Sequence, residues 1–154
     1  MSFYFRQTWT DYRLQYNFSD IDVMEIDTKL IGDLWVPDVY IINEKKANFH
    51  DITVPNKLIN IYPDGRVFYS TRISGTFSCN MNLYKYPLDR QICEIKFESY
   101  AFSANTIVVR WQPTASILKD GLELPQFNLT KQKAFICDGI YYGGTIFAAD
   151  EFMF

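Results

Sequence analysis

An all-β domain, an antiparallel sandwich of several short strands, is the fold class this sequence predicts. Three observations predict it. Apolar and polar residues alternate with a period of two in four separate segments, the pattern of half-buried strands. Proline and glycine turns separate those segments. No window carries a long apolar stripe at helical spacing. Of the 154 residues, 48% are hydrophobic and 18% aromatic, which weights the reading further towards strands and supplies one domain with ample core.

The elements follow in chain order. Residues 2–9 alternate Phe3, Phe5, Gln7 and Trp9 against Tyr4, Arg6 and Thr8. Residues 27–34 read as one short helical turn with Asp27 as its cap, a carboxylate suited to the unpaired N–H groups at a helix start. Tyr62-Pro63-Asp64-Gly65-Arg66 reads as a hairpin turn, in which Pro presets φ and Gly takes the left-handed position. Beyond it, Val67, Tyr69, Thr71 and Ile73 alternate against Phe68, Ser70 and Arg72. From Gln91 on, Cys93, Ile95, Phe97 and Ser99 lie opposite Glu94, Lys96, Glu98 and Tyr100. Residues 106–112 put Ile107, Val109 and Trp111 on one face and are expected to form another strand. Lys119-Asp120-Gly121 is a second tight turn, and Pro37, Pro55, Pro87, Pro113 and Pro125 punctuate the rest. There is no internal repeat, linker or low-complexity segment.

Charge and targeting signals narrow the function. The 15 basic and 18 acidic residues give a net charge of -3, so a nucleic-acid partner is not expected. No run of 18 apolar residues offers a transmembrane helix. The first seven residues lack the basic segment, apolar run and cleavage site of a signal peptide. Two glycosylation sequons, Asn17-Phe18-Ser19 and Asn128-Leu129-Thr130, point outside the cell. Cys79 and Cys93 enclose thirteen residues, 80–92, and Cys137 is left over. That spacing suits a local disulfide in an oxidising compartment, and three buried thiols in a reducing one fit the count equally well.

Catalysis has little to build on. The one histidine, His50, completes neither a triad nor a metal site, and a structural or surface role is expected. Asp20 and Asp22 sit in a polar stretch and read as solvated. No enzyme activity, metal or cofactor is expected. The polar faces of the strands carry more. Tyr4 and Arg6 project together, as do Phe68, Ser70 and Arg72, and Glu98 and Tyr100. An Arg beside an aromatic can fork onto a carboxylate, and a Glu beside a Tyr can hold an ammonium. Together these suit a small zwitterion; they equally describe the solvated side of any sandwich.

The motifs decide between those readings. Cys79-Asn80-Met81-Asn82-Leu83-Tyr84-Lys85-Tyr86-Pro87-Leu88-Asp89-Arg90-Gln91-Ile92-Cys93 resembles the signature loop of Cys-loop receptors in its spacing, its aromatic-Pro-x-Asp core and its Gln before the second Cys. Trp35-Val36-Pro37-Asp38 matches the family's Trp-x-Pro-Asp element. Asn43-Glu44-Lys45 with Phe49-His50, and Phe5-Arg6-Gln7-Thr8-Trp9-Thr10-Asp11, resemble the GABA/glycine-type anion-channel branch, and Leu124-Pro125-Gln126-Phe127 continues the likeness. From about residue 3 to 128 the chain is similar to the extracellular ligand-binding domain of these pentameric ligand-gated channels.

The resemblance implies a twisted β-sandwich of Ig-like topology, five subunits in a ring and agonist bound between neighbours. It puts Tyr4 and Arg6 in loop D, Tyr40 to Glu44 in loop A, Phe68, Ser70 and Arg72 in loop E, and Glu98, Ser99 and Tyr100 in loop B. In GABA-binding relatives the Glu-Ser-Tyr segment meets the amine and the loop D Arg the carboxylate. The resemblance also implies a disulfide between Cys79 and Cys93, with Pro87 and Asp89 at the contact that couples binding to gating, and it makes Asn17 and Asn128 glycosylation candidates. After Thr130 it decays. Residues 1–130 are expected to be a partial ligand-binding domain. Residues 131–154 are expected to be either a divergent loop C with Tyr141 as its aromatic, or a foreign tail. The family's leading helix and first strand do not precede residue 3, so the sandwich is expected to be incomplete at both ends. The expected function is transmitter binding on the extracellular, postsynaptic face of a chloride-channel subunit. The ligand would be a small amino acid such as GABA, and the partners other subunits of a homo- or heteropentamer. A soluble decoy that sequesters transmitter and a non-binding isoform that interferes with assembly are the competing readings.

Overall fold

The computed structural model of the chain describes residues 1–18, 20–113 and 126–136 in full, and residues 139–141 and 144–153 by their backbone. Its strands are β1 (Ser2–Thr10), β2 (Met24–Ile26), β3 (Val39–Ile41), β4 (Glu44–Phe49), β5 (Lys57–Ile61), β6 (Arg66–Phe77), β7 (Ile92–Ser99), β8 (Lys131–Phe135), β9 (Gly139–Tyr141) and β10 (Gly144–Met153). Two short 3-10 turns, Tyr12–Leu14 and Thr28–Asp33, are the helical elements among the described residues. The second starts as predicted, with the Asp27 carboxylate accepting from the Lys29 amide at 2.9 Å. Two antiparallel sheets with almost no helix confirm the all-β, sandwich-class fold.

The chain divides into two compact units, each built on one sheet. The first comprises Met1–Pro37 and Lys45–Thr76, with strand order β1-β6-β5-β2 and β4 also pairing with β6. Its core is Ile59, Ile61, Val67 and Tyr69, and Trp9, Leu14, Tyr16, Met24 and Ile26 pack around it. These are the inward positions of the alternation, because successive side chains on a strand point to opposite faces. His50 fills the structural role expected of it, its Nε2 lying 2.6 Å from the Ser74 hydroxyl.

The β5–β6 hairpin turns at Tyr62–Arg66 as predicted. The Tyr62 amide donates to the Arg66 carbonyl and the Gly65 amide to the Tyr62 carbonyl, each at 2.9 Å. Gly65 sits at φ 81°, and a Cβ there would lie 2.6 Å from the Asp11 carbonyl oxygen. Its own carbonyl accepts from the Asp11 amide at 2.9 Å, so the turn also fastens the end of β1. Gly65→Ala is therefore expected to destabilise the domain by about 1–3 kcal/mol, through left-handed strain and the backbone clash. Urea unfolding checks it: an unchanged midpoint would show that the turn relaxes freely.

The second unit comprises Asp38–Glu44 and Phe77–Phe154, with order β3-β7-β10-β8 and β9 pairing with β10. Ile41, Ile95 and Phe97 are buried. The Phe97 ring meets Trp111 edge-on, with centroids 5.8 Å apart. Residues 106–112, expected as a strand, form no ladder: a turn at 104–106 leads into irregular chain. The predicted faces are nevertheless present, with Ile107, Val109 and Trp111 half-buried and Val108 and Arg110 exposed. Alternation fixes which side chains turn inward, but a strand needs backbone partners too. Here the tie is made by a side chain, Trp111 Nε1 donating to the Phe135 carbonyl at 3.2 Å. The Lys119-Asp120-Gly121 turn, Pro125, Ser19 and Cys137 lie outside the described residues.

Candidate ligand-binding site

The first unit carries a cationic, aromatic face. β1 and β6 pair so that Tyr4 stands opposite Arg72, Arg6 opposite Ser70, and Thr8 opposite Phe68. Residues directly opposite in an antiparallel pair share a face, so the five residues predicted on these strands form one contiguous patch. Arg6 and Arg72 occupy diagonal positions, about 7–8 Å apart at the backbone. The Arg6 guanidinium carbon lies 6.0 Å from the Tyr4 ring centre, and Arg72 Nε donates to the Ser2 hydroxyl at 3.4 Å. Among the described residues neither arginine forms an ion pair. The positions of β1, β5 and β6 on this face include no carboxylate, and Glu25 of β2 stands two strands away from β6. Guanidiniums outside any ion pair are groups able to fork onto a carboxylate.

The second unit carries the opposite chemistry. Tyr40 of β3 stands opposite Glu98 of β7, and its hydroxyl donates to the Glu98 carboxylate at 2.7 Å. The Tyr40 and Tyr100 rings meet edge-on at 6.0 Å, and Tyr100 is 82% exposed. On the same strand Lys96 pairs with Glu94 at 2.7 Å, while Glu98 has no cation partner among the described residues. A carboxylate flanked by two phenol rings suits an ammonium group, which both charge and ring faces attract.

The hydrogen bond to Glu98, with burial and the neighbouring negative charge, holds the Tyr40 phenol above its usual pKa of 10.0, because the phenolate would face that carboxylate. Removing the charge in Glu98→Gln is expected to move Tyr40 ionisation to lower pH. Phenolate absorbance against pH shows this as one tyrosine titrating earlier, and an unchanged curve would refute the contact.

Ser99 is placed differently from its neighbours. It is 2% exposed and points to the core side of β7, where its hydroxyl donates to Asp38 at 2.6 Å. Asp38 also accepts from the Ala101 amide at 2.6 Å, and its carbonyl accepts from the Tyr100 amide at 3.2 Å. Asp38 thus clamps the bend that carries Glu98 and Tyr100, a role the sequence reading missed although the Trp-x-Pro-Asp element contains it. Asn43 was named only as part of a motif, and its bracing role was missed too. Its amide donates to the carbonyls of Ser78 and Glu94 at 3.0 and 2.7 Å and accepts from the Lys96 amide at 3.2 Å, tying β7 to the segment after β3. Asp38→Ala is expected to cost about 1.5–3 kcal/mol, the worth of hydrogen bonds to a charged group. Chemical unfolding tests this, and wild-type stability would show the clamp to be dispensable. Tyr141 lies in β9, and its side chain is outside the described residues.

Cys79 and Cys93 are joined, with their Cα atoms 5.2 Å apart. Inside the ring Gln91 is 2% exposed and acts as a brace. Its amide donates to the Asn82 carbonyl at 2.9 Å and accepts from the Asn82 amide at 3.0 Å, and it also donates to Asp89. The loop displays large apolar side chains: Tyr84 is 91% and Leu88 88% exposed, with Leu83 and Tyr86 beside them. Among the described residues no cluster of His, Cys, Asp and Glu offers a metal site, and no helix is long and apolar enough to cross a membrane.

Two antiparallel sheets with exposed charged and aromatic side chains and a braced disulfide loop are the features that any assignment has to account for. Residues 1–139 match the neurotransmitter-gated ion-channel ligand binding domain, and the chain belongs to that family, which is one of receptors and not of enzymes. It is similar to the gamma-aminobutyric acid receptor subunit beta-4 of Gallus gallus, with 38% identity over 147 residues. That alignment covers 94% of this chain and 30% of the avian protein, so the chain spans about a third of its relative's length.

Proposed function

We propose that this domain binds a small amino-acid transmitter of the GABA type between neighbouring receptor subunits and passes the binding event to a chloride pore. One observation carries the reading. The chain presents two arginines, Arg6 and Arg72, that form no ion pair and a carboxylate, Glu98, that has no cation partner among the described residues, on separate sheets. When the Glu98 face of one subunit meets the Arg6–Arg72 face of the next, an amine and a carboxylate on one small molecule satisfy both. Tyr4, Tyr40, Phe68 and Tyr100 supply the aromatic walls, Ser70 a hydroxyl, and Ser99 positions Glu98 and Tyr100 through Asp38. The similarity to a gamma-aminobutyric acid receptor subunit supports this choice of ligand and partners.

The same reading gives the remaining parts their roles. β9 and β10 form a hairpin paired with β7, and it serves as loop C with Tyr141 at its aromatic position. The apolar side chains of the disulfide loop, with Pro87 and Asp89, dock on the pore domain and transmit the shift in population on binding. Residues 1–130 act as the main body of a domain on the extracellular face of the plasma membrane. Calorimetric titration tests the ligand assignment on the subunit assembly. GABA should bind, while butylamine, which lacks the carboxylate, and butyrate, which lacks the amine, should bind far more weakly. Equal binding of all three would exclude the two-faced site.

A further inference from the structure

A polar cavity lies on the first sheet, next to the Arg6 and Arg72 patch. Ser2 stands opposite Ser74 across β1 and β6, and the next pair on the same face is Tyr4 with Arg72. The two pairs are about 7 Å apart along the strands. β4, which also pairs with β6, supplies a further wall through Lys46 and Asn48. The cavity has a volume of about 490 Å³, and Thr76 completes its polar lining. Among the described residues no carboxylate lines it, and Lys46 forms no ion pair. None of these lining side chains has a part in the transmitter site proposed above or in the contact of the disulfide loop.

The two facing hydroxyls are set to donate. Arg72 Nε donates to the Ser2 hydroxyl at 3.4 Å, which leaves the Ser2 proton free for another acceptor. Ser74 Oγ lies 2.6 Å from His50 Nε2. With the imidazole proton on Nε2, His50 donates and the Ser74 proton is free in the same way. We infer that the cavity is a site for a small doubly charged oxyanion of the sulfate or phosphate class, and that its filling weakens transmitter binding through Arg72. The Lys46 ammonium supplies the opposing charge. The hydroxyls of Ser2, Ser74 and Thr76 and the Asn48 amide supply donors for several oxygens, and the anion selects the His50 tautomer with its proton on Nε2. An anion that accepts from Ser2 makes the Ser2 oxygen a better acceptor for Arg72. Its charge also attracts the guanidinium. Arg72 is thereby drawn towards the cavity and away from a transmitter carboxylate on the same face.

The regulation rests on the transmitter reading above, whereas the oxyanion site stands without it, and one titration series separates them. Sodium sulfate is titrated calorimetrically into the subunit assembly, with chloride holding the ionic strength constant. Sulfate should bind, and Lys46→Ala should weaken it about fivefold, the upper range for an exposed charge pair. Lys46→Arg should keep most of the affinity. Saturating sulfate should weaken GABA binding about fivefold, and saturating GABA should weaken sulfate by the same factor, since coupling is reciprocal. Arg72→Ala should abolish that coupling while sulfate still binds. Sulfate held no better than chloride, or equally well by Lys46→Ala, overturns the site. Sulfate binding that leaves GABA affinity unchanged, or coupling that survives in Arg72→Ala, overturns the regulation. An assembly that binds sulfate in a Lys46-dependent way but no GABA supports the oxyanion site and overturns the transmitter reading instead.

Discussion

Replacing both cysteines, Cys79→Ser with Cys93→Ser, is expected to lower the stability of the domain by about 3 kcal/mol, the chain entropy released by opening a ring of about fifteen residues. The two half-cystines are 14 positions apart in sequence and bridge the end of the β6 segment to the start of β7. Opening the ring also loosens what it encloses. The paired hydrogen bonds between Gln91 and Asn82 hold a short bend that has no regular ladder of its own. With the bend free, the exposed Tyr84, Tyr86 and Leu88 lose their fixed display. Since domains of this size are stable by only about 5–15 kcal/mol, the loss should appear as a lower urea midpoint and a smaller secreted yield. A double variant with wild-type midpoint and yield would show that the hydrogen bonds alone hold the loop.

The second large effect falls on ligand affinity. Arg6→Ala should weaken binding of a carboxylate-bearing transmitter about 10- to 100-fold, the range for losing a charge-assisted hydrogen bond of 1.5–3 kcal/mol. Arg6→Lys keeps the charge but loses the planar fork and should fall between the two. Arg72→Ala should cost less, because its Nε is already turned to Ser2. Glu98→Gln should match Arg6→Ala in size, since it removes the carboxylate that accepts from Tyr40, whose ring meets Tyr100. The diagnostic is the ligand series. Arg6→Ala should leave the affinity of an amine without a carboxylate unchanged. If that affinity falls equally, Arg6 supports the fold and does not meet the ligand.

Strands with strict alternation were legible in the sequence, because burial on one face writes a period of two into it. β1, β6 and β7 are such strands, and the Tyr62–Arg66 turn was legible through the distinct torsions of Pro and Gly. β4 was not, since Glu44, Lys45, Lys46, Asn48 and Phe49 are all exposed and leave no apolar face. β2 and β3 have three residues each, too few to show a period. The candidate site was legible as residue types on shared faces. Its assembly was not, because the register that sets Tyr4 beside Arg72 comes from pairing segments far apart in the chain. Asp38 and Asn43 escaped for the same reason: the Asp38–Ser99 and Asn43–Glu94 hydrogen bonds span 61 and 51 positions. Ser99 shows the converse, a residue named through its neighbours whose side chain faces the core.

In the proposed receptor each chain carries two unlike halves of a site completed only by its neighbour. Complementation tests it most directly. The domain is joined to the remainder of the avian relative, and Glu98→Gln and Arg6→Ala forms are expressed separately and together. At the concentration that half-saturates the wild type, each alone should give receptors with little transmitter-evoked current, its affinity being about 10- to 100-fold weaker. Co-expression should restore current, because some junctions then place an intact Glu98 face against an intact Arg6 face. Silence from the mixture, with both forms reaching the cell surface together, would contradict a shared site and confine ligand recognition to a single chain.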